Sequence, residues 1–176
     1  MATRISSEAY VDYCNRLAEA RPYVETIMGV NVYIGDDFCR YNACYLDIAI
    51  AVADYDTIRK ETCIYVNSKL LNGPKELYDA VCLHELGHIY NGHLSKAVQD
   101  RALIDKHLKI ELELEADAWA VEHGADSKVL RDYLKDARDA VIAAVGKENY
   151  DQLFETYETT RIFHSGFDER IAALSK

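Results

Sequence analysis

The chain has 176 residues, 49% hydrophobic and 28% charged, which is enough apolar material for the core of one ordinary domain and too much for a disordered tail. Thirty acidic residues against twenty basic ones leave a formal net charge of −10. That balance argues against general nucleic-acid binding and against docking on anionic lipid, both of which need a basic footprint.

The N-terminal stretch carries Glu8 and Asp12 where a signal peptide needs an apolar run, and Ala2 is incompatible with myristoylation. Residues 6–28 read as an amphipathic helix, with Tyr10, Cys14, Leu17 and Ala18 at helical spacing, Ser6 or Ser7 as its cap and Pro22 as a kink or break. The period then changes. Val30 to Ile34 alternates and is β-branched, Ala43 to Tyr55 places Leu46, Ile48, Ile50 and Val52 on one face, and Cys63 to Val66 is a third short strand. These segments predict a small, mostly antiparallel sheet.

Asn72-Gly73-Pro74 is a strong turn signal, after which the pattern is helical. Helices are predicted at 75–91, 105–124, 127–145, 148–160 and 167–175, with Gly92, Gly124, Gly146 and Gly166 near their ends. The plan is α+β, with the sheet segregated from a helical half. A single domain over 1–176 is expected, made of a helix-plus-sheet lobe (1–73) and a helical lobe (74–176). No apolar run is long enough to cross a membrane. The five cysteines (Cys14, Cys39, Cys44, Cys63, Cys82) are odd in number and form no CxxC pair, so small buried hydrophobes in a reducing, cytoplasmic compartment are expected.

The segment that carries chemistry is His84-Glu85-Leu86-Gly87-His88, an HExxH motif on the predicted helix PKELYDAVCLHELGHIY. Histidines at i and i+4 stand one above the other on a helix face, close enough to share a metal, and the intervening glutamate can act as general base. A catalytic zinc usually takes three protein ligands. His93, Glu111, Glu113, Glu115 and Asp117 are candidates for the third. Helical phase places Glu113 and Asp117 at the edge of an apolar face formed by Ile110, Leu114 and Val121, while Glu111, Glu115 and Glu122 point towards solvent. A carboxylate on a buried face is costly unless it is paired or holds a metal, so Glu113 and Asp117 read as a functional pair. His93 is the rival ligand, but its spacing from His88 does not fit the metzincin pattern, and a polar helix-end cap is its plainer reading. His107 and His123 read as surface or cap residues. Neutral imidazoles and ionised carboxylates are required at such a site, so activity is expected to fall below about pH 6.

HELGH followed by ELEADAWA resembles the gluzincin arrangement. The stretch ELYDAVCLHELGH is similar to the active-site helix of the CAAX-prenyl endopeptidase/HtpX family, and HELGHIYNGH resembles the ImmA/IrrE family of soluble regulatory proteases. Near the C-terminus, His164 and Arg170 keep the spacing of the HPxxxxRI segment of the CAAX/HtpX family, with Ser165 in place of the proline. The resemblance covers roughly residues 74–124 and 161–174, without that family's membrane helices.

It implies a zincin-like fold and a zinc-dependent metallopeptidase that cleaves peptide bonds through a zinc-activated water. In that reading His84, His88 and Glu113 bind zinc, Glu85 is the general base, Asp117 orients a ligand histidine, and His164 and Arg170 stabilise the oxyanion. A peptide or protein substrate is implied, paired by β-augmentation with the strand Cys63 to Val66 as a sheet edge. A zinc-containing regulatory or partner-binding protein with little general proteolysis is the alternative.

Overall fold

The computed structural model describes residues 21–36, 50–102, 105–153 and 166–176. Its elements in chain order are β1 (Tyr23–Ile27), β2 (Val30–Ile34), β3 (Ala51–Asp56), β4 (Glu61–Val66), α1 (Ser68–Leu71), α2 (Lys75–Tyr90), α3 (Lys96–Ala102), α4 (Lys106–Glu122), α5 (Ser127–Val145), α6 (Lys147–Leu153) and α7 (Phe167–Ala173). The class is α+β: a four-stranded mixed sheet followed by a mainly helical half.

Part of the predicted first helix is overturned. Residues 1–20 lie outside the described residues, but Tyr23–Ile27 is a strand, not a helix. It folds back through Met28 and Gly29, both with positive φ (48° and 81°), and pairs antiparallel with Val30–Ile34. Two left-handed residues in a two-residue loop match the twist of a tight hairpin, and β-branched Val24, Thr26 and Ile27 suit the strand.

The sheet order is β1-β2-β4-β3. Two antiparallel hairpins, β1–β2 and β3–β4, meet along a parallel seam between β2 and β4. The sheet is therefore mixed and, as expected, mostly antiparallel, with two of its three pairings antiparallel. The strand predicted over 43–55 is observed at Ala51–Asp56, and 43–49 lie outside the described residues. The strand containing Cys63 to Val66 is interior, paired on both sides, so it offers no edge to a substrate. Among the described residues, the outer strand next to it is β3.

Asp56 ties the β3–β4 turn. Its carboxylate accepts from the backbone N–H of Ile58 (2.8 Å) and Arg59 (2.9 Å), from Arg59 Nη1 (2.7 Å) and from the Tyr65 hydroxyl (2.6 Å). Burial pushes its pKa up, but these donors outweigh burial and hold it at about 2.

Helix α2 is buried on several sides. Val81, Cys82 and Leu86 pack on Val30, Val32, Ile64 and Val66 of the sheet. Ala80 joins a second cluster with Leu130, Leu134 and Val141 of α5, Phe167 of α7 and Ala120 of α4. A helix enclosed this way carries its polar residues into the interior, which costs free energy unless they have partners. Cys63 and Cys82 are buried thiols whose pKa burial pushes up, to about 11 and about 12, so neither is a reactive thiolate. Cys14, Cys39 and Cys44 lie outside the described residues.

The helical half follows the sequence closely. Predicted 75–91, 105–124, 127–145 and 167–175 appear as α2, α4, α5 and α7. Asp105 and Asp126 cap α4 and α5 by accepting from the backbone N–H groups of the first turn. The helix expected over 148–160 is described as Lys147–Leu153, and 154–160 lie outside the described residues. The short helices α1 and α3 were not expected. Among the described residues no helix is long and apolar enough to cross a membrane.

Candidate metal site

The HExxH motif lies on α2, and Glu113 and Asp117 project from α4, its closest helical neighbour. The two helices touch at Gly87, where a Cβ would meet the Ala116 carbonyl oxygen at 2.7 Å and its Cα at 2.9 Å. Both are backbone atoms and cannot swing away. The contact face of α4 is Glu113, Ala116, Asp117 and Ala120, all buried, whereas Val121 is 38% exposed. The small residues at this close crossing, rather than the larger Ile110, Leu114 and Val121, define the buried face. Glu113 and Asp117 therefore sit within it and not at its edge. Gly87→Ala is expected to force the helices apart, destabilise the fold by about 1–3 kcal/mol and weaken metal binding, because Glu113 stands one turn from Ala116. Urea unfolding and a zinc titration check this; an unchanged midpoint and affinity would contradict it.

Three donor groups converge between the helices. His84 Nε2 and His88 Nε2 are 3.2 Å apart. His84 Nε2 is 3.4 Å from one oxygen of Glu113, and His88 Nε2 is 3.6 Å from the other. One ligand atom from each of these residues lies within 4.8 Å of the others. Donor atoms about 2.0–2.1 Å from a tetrahedral ion stand about 3.3 Å from one another, so the spacing fits one shared metal. All three side chains are buried or nearly so: His84 and Glu113 are 4% and 6% exposed, and the His88 side chain is 13% exposed. This His84/His88/Glu113 group could hold a metal ion.

The surroundings favour positive charge at this point. His84 Nδ1 lies 2.8 Å from Asp117 Oδ1, so a neutral His84 keeps its proton on Nδ1 and turns the Nε2 lone pair towards His88 and Glu113. Burial and the Arg170 charge push the His84 pKa down, but Asp117 and Glu113 push it up harder, to about 9 in the metal-free protein. A metal ion must therefore displace a proton from His84 at neutral pH.

Arg170, on α7, lies behind the group. Its Nε and Nη2 donate to the two oxygens of Asp117 at 2.7 and 2.8 Å, and Nη1 donates to Glu113 at 2.7 Å. Arg170 is 3% exposed. Burial lowers its pKa, but the two carboxylates raise it further, so it stays charged. Burial likewise raises the Asp117 pKa, yet Arg170 and His84 hold that carboxyl far below the usual range. His164, the other residue implied at the oxyanion, lies outside the described residues.

Glu85 is 3% exposed and reaches the sheet with one carboxylate oxygen. Its Oε2 accepts from the Ala53 N–H of β3 at 2.8 Å. A cavity of about 20 Å³ touches Glu85, His84 and Arg170 and is otherwise walled mainly by apolar side chains such as Val81, Leu134 and Phe167. That is room for a single water-sized molecule.

Two of the candidate ligands, His93 and Glu115, meet the site from outside the converging group. His93 does lie at the end of α2 and is buried there: it is 2% exposed, with Nδ1 2.9 Å from His88 Nδ1 and Nε2 3.0 Å from Glu115 Oε2. Glu115 does face solvent, with its side chain 62% exposed, but its carboxylate is engaged by His93. The legible signal was Gly92, which ends α2 so that the next residue folds back on it. His123 is exposed at the end of α4, with its ring stacked on Trp119 at 3.7 Å, and His107 is exposed in the first turn of α4. No family model matches the chain, and neither a curated protein nor a solved structure does.

Proposed function

We propose that this chain is a zinc metallopeptidase of zincin-like fold that hydrolyses peptide bonds in a protein or peptide substrate. The observation that carries the reading is the convergence of two imidazole Nε2 atoms, 3.2 Å apart, on the Glu113 carboxylate, with a further carboxylate, Glu85, on the same helix. The resemblance of the HELGH and ELEADAWA segments to gluzincins of the CAAX/HtpX and ImmA/IrrE families supports it.

His84, His88 and Glu113 would hold the ion, and two nitrogens with one carboxylate oxygen are a donor set suited to zinc. Zinc bound there supplies Lewis-acid polarisation of the scissile carbonyl and makes water acidic enough to react near neutral pH. Glu85 takes a proton as the water oxygen attacks the carbonyl carbon, then delivers it to the amine nitrogen as the C–N bond breaks. The Ala53 N–H fixes one Glu85 oxygen and so sets where the other points. Asp117 orients His84. Arg170 spends its Nε, Nη1 and Nη2 on Asp117 and Glu113, which favours the holding of these carboxylates over contact with a substrate oxyanion.

Among the described residues β3 is the outer strand beside Glu85, which makes it the better candidate for pairing with an extended substrate. The test is cleavage of an unfolded protein substrate by zinc-loaded wild type beside Glu85→Gln. Cleavage by wild type alone supports the reading. A zinc-loaded wild type inert towards unfolded proteins and a broad peptide mixture would overturn it in favour of a regulatory or partner-binding role.

A further inference from the structure

Helix α2 ends in a turn that folds His93 back onto His88. Gly92 adopts φ 74°, a left-handed conformation at the position after the helix cap, Asn91. The His93 N–H then donates to the His88 carbonyl at 3.0 Å, the long-range bond of a Schellman turn. Gln99 Nε2, from α3, donates to the His93 carbonyl at 2.6 Å and anchors the turn from outside. The two rings stand 5.1 Å apart, centre to centre, at 71°.

The proton positions along this chain of contacts follow from hydrogen-bond chemistry. An ionised carboxylate only accepts, so Glu115 Oε2, 3.0 Å away, requires a proton on His93 Nε2. A neutral His93 then presents a lone pair on Nδ1. His88 Nδ1, 2.9 Å from it, must donate. His88 is thereby left with its Nε2 lone pair, the atom that faces His84 Nε2 and Glu113. The opposite tautomer of His88 would put a proton where the metal ligand atom is needed.

We propose that His93 and Glu115 form a positioning relay that fixes the ring and tautomer of His88, as Asp117 does for His84. The inference rests on His84, His88 and Glu113 holding zinc. Each ligand histidine then has its own carboxylate: Asp117 directly on His84, and Glu115 through the ring of His93 on His88. The relay runs from the buried metal site to the surface, since the His93 side chain is 3% exposed and that of Glu115 is 62% exposed. Outer-sphere partners of this kind raise ligand basicity and hold the ring in its binding orientation.

The experiment is zinc affinity of the full chain, measured by competition with a chromophoric chelator, which needs no turnover. His93→Ala is expected to weaken zinc about 10- to 100-fold. His93→Asn places an amide oxygen near the site of Nδ1 and is expected to recover most of that loss, which a purely space-filling role of His93 would not predict. Glu115→Ala, at a side chain 62% exposed, is expected to give a smaller loss in the same direction. Zinc affinity of His93→Ala and Glu115→Ala equal to wild type, with Glu113→Ala unable to bind, would overturn the relay alone. A wild type that binds no zinc would overturn both the relay and the metal site. Stoichiometric zinc without hydrolysis, with the His93 series behaving as expected, would uphold the relay and overturn only the peptidase reading.

Discussion

Glu85→Gln is expected to leave zinc content at the wild-type level and to lower kcat on an unfolded protein substrate by about 10²- to 10⁴-fold, the usual contribution of general acid–base catalysis. The substitution is nearly isosteric. The Gln amide oxygen can still accept from the Ala53 N–H, which Glu85 Oε2 now accepts at 2.8 Å, so the junction between α2 and β3 is kept. Glu85 is not one of the three groups whose donor atoms converge, so the ligand set is untouched. What disappears is the ability to take a proton from water and return it to the amine. A loss in kcat with KM nearly unchanged separates this role from substrate binding. Residual kcat within about tenfold of wild type, at full zinc occupancy, would remove Glu85 from the mechanism.

Arg170→Leu is expected to destabilise the metal-free protein by about 3–5 kcal/mol, the usual cost of removing one partner from a buried ion pair. The physical reason is charge left without compensation. Asp117 and Glu113 have side chains only 3% and 8% exposed, and Arg170 faces both at 2.7 Å in each case, with His84 as the weaker, titratable partner of the same two carboxylates. Arg170→Lys keeps a charge but loses the planar fork that binds both oxygens of Asp117, and it is expected to fall between wild type and leucine. Urea unfolding of metal-free protein gives the values. Zinc should recover part of the loss, because an ion that binds only the folded state stabilises it and brings positive charge to Glu113.

The pH dependence has a definite sign. The Asp117 pKa lies far below its ordinary 3.8, so the stability it contributes is complete above that value and is lost as the pH falls below it. A loss below about 1 kcal/mol for Arg170→Leu at neutral pH would contradict this account of the cluster.

The helical half was largely legible in the sequence, and so were strands β2, β3 and β4, whereas β1 and the order of the strands were not, for different physical reasons. Helices α2, α4 and α5 bury faces over 16, 17 and 19 residues, and Asp105 and Asp126 mark two of their starts. Tyr23–Ile27 was read as helix because the apparent helical period of residues 6–20 was carried past Pro22. The hairpin that makes it a strand depends on Met28 at positive φ, a residue that does not announce a tight turn. The parallel seam between β2 and β4 could not be foreseen, since alternation reports which face of a strand is buried and not which strand lies beside it.

At the site, the spacing of His84, Glu85 and His88 was sufficient because i and i+4 meet on any helix. Glu113 and Asp117 were found because a buried carboxylate needs a partner. Their exact setting depends on packing that residue size does not report: Ala116 and Ala120, and not the larger apolar residues, mark the buried face of α4, opposite Gly87. Glu115 faces solvent as its helical phase implies, and exposure says nothing about which buried group a carboxylate reaches back to hold. His93 reads from its spacing only as a rival ligand or a helix-end cap, because its contact with His88 depends on a chain reversal at Gly92 and not on helical spacing.

The most direct test of the central claim is metal content, by elemental analysis, of untagged protein for wild type and Glu113→Ala after equal exposure to zinc. The arrangement of His84, His88 and Glu113 predicts about one zinc per wild-type chain and close to none in Glu113→Ala. A wild type without zinc, or a Glu113→Ala variant that retains it at wild-type affinity, would contradict the assignment of these three residues as the ligands.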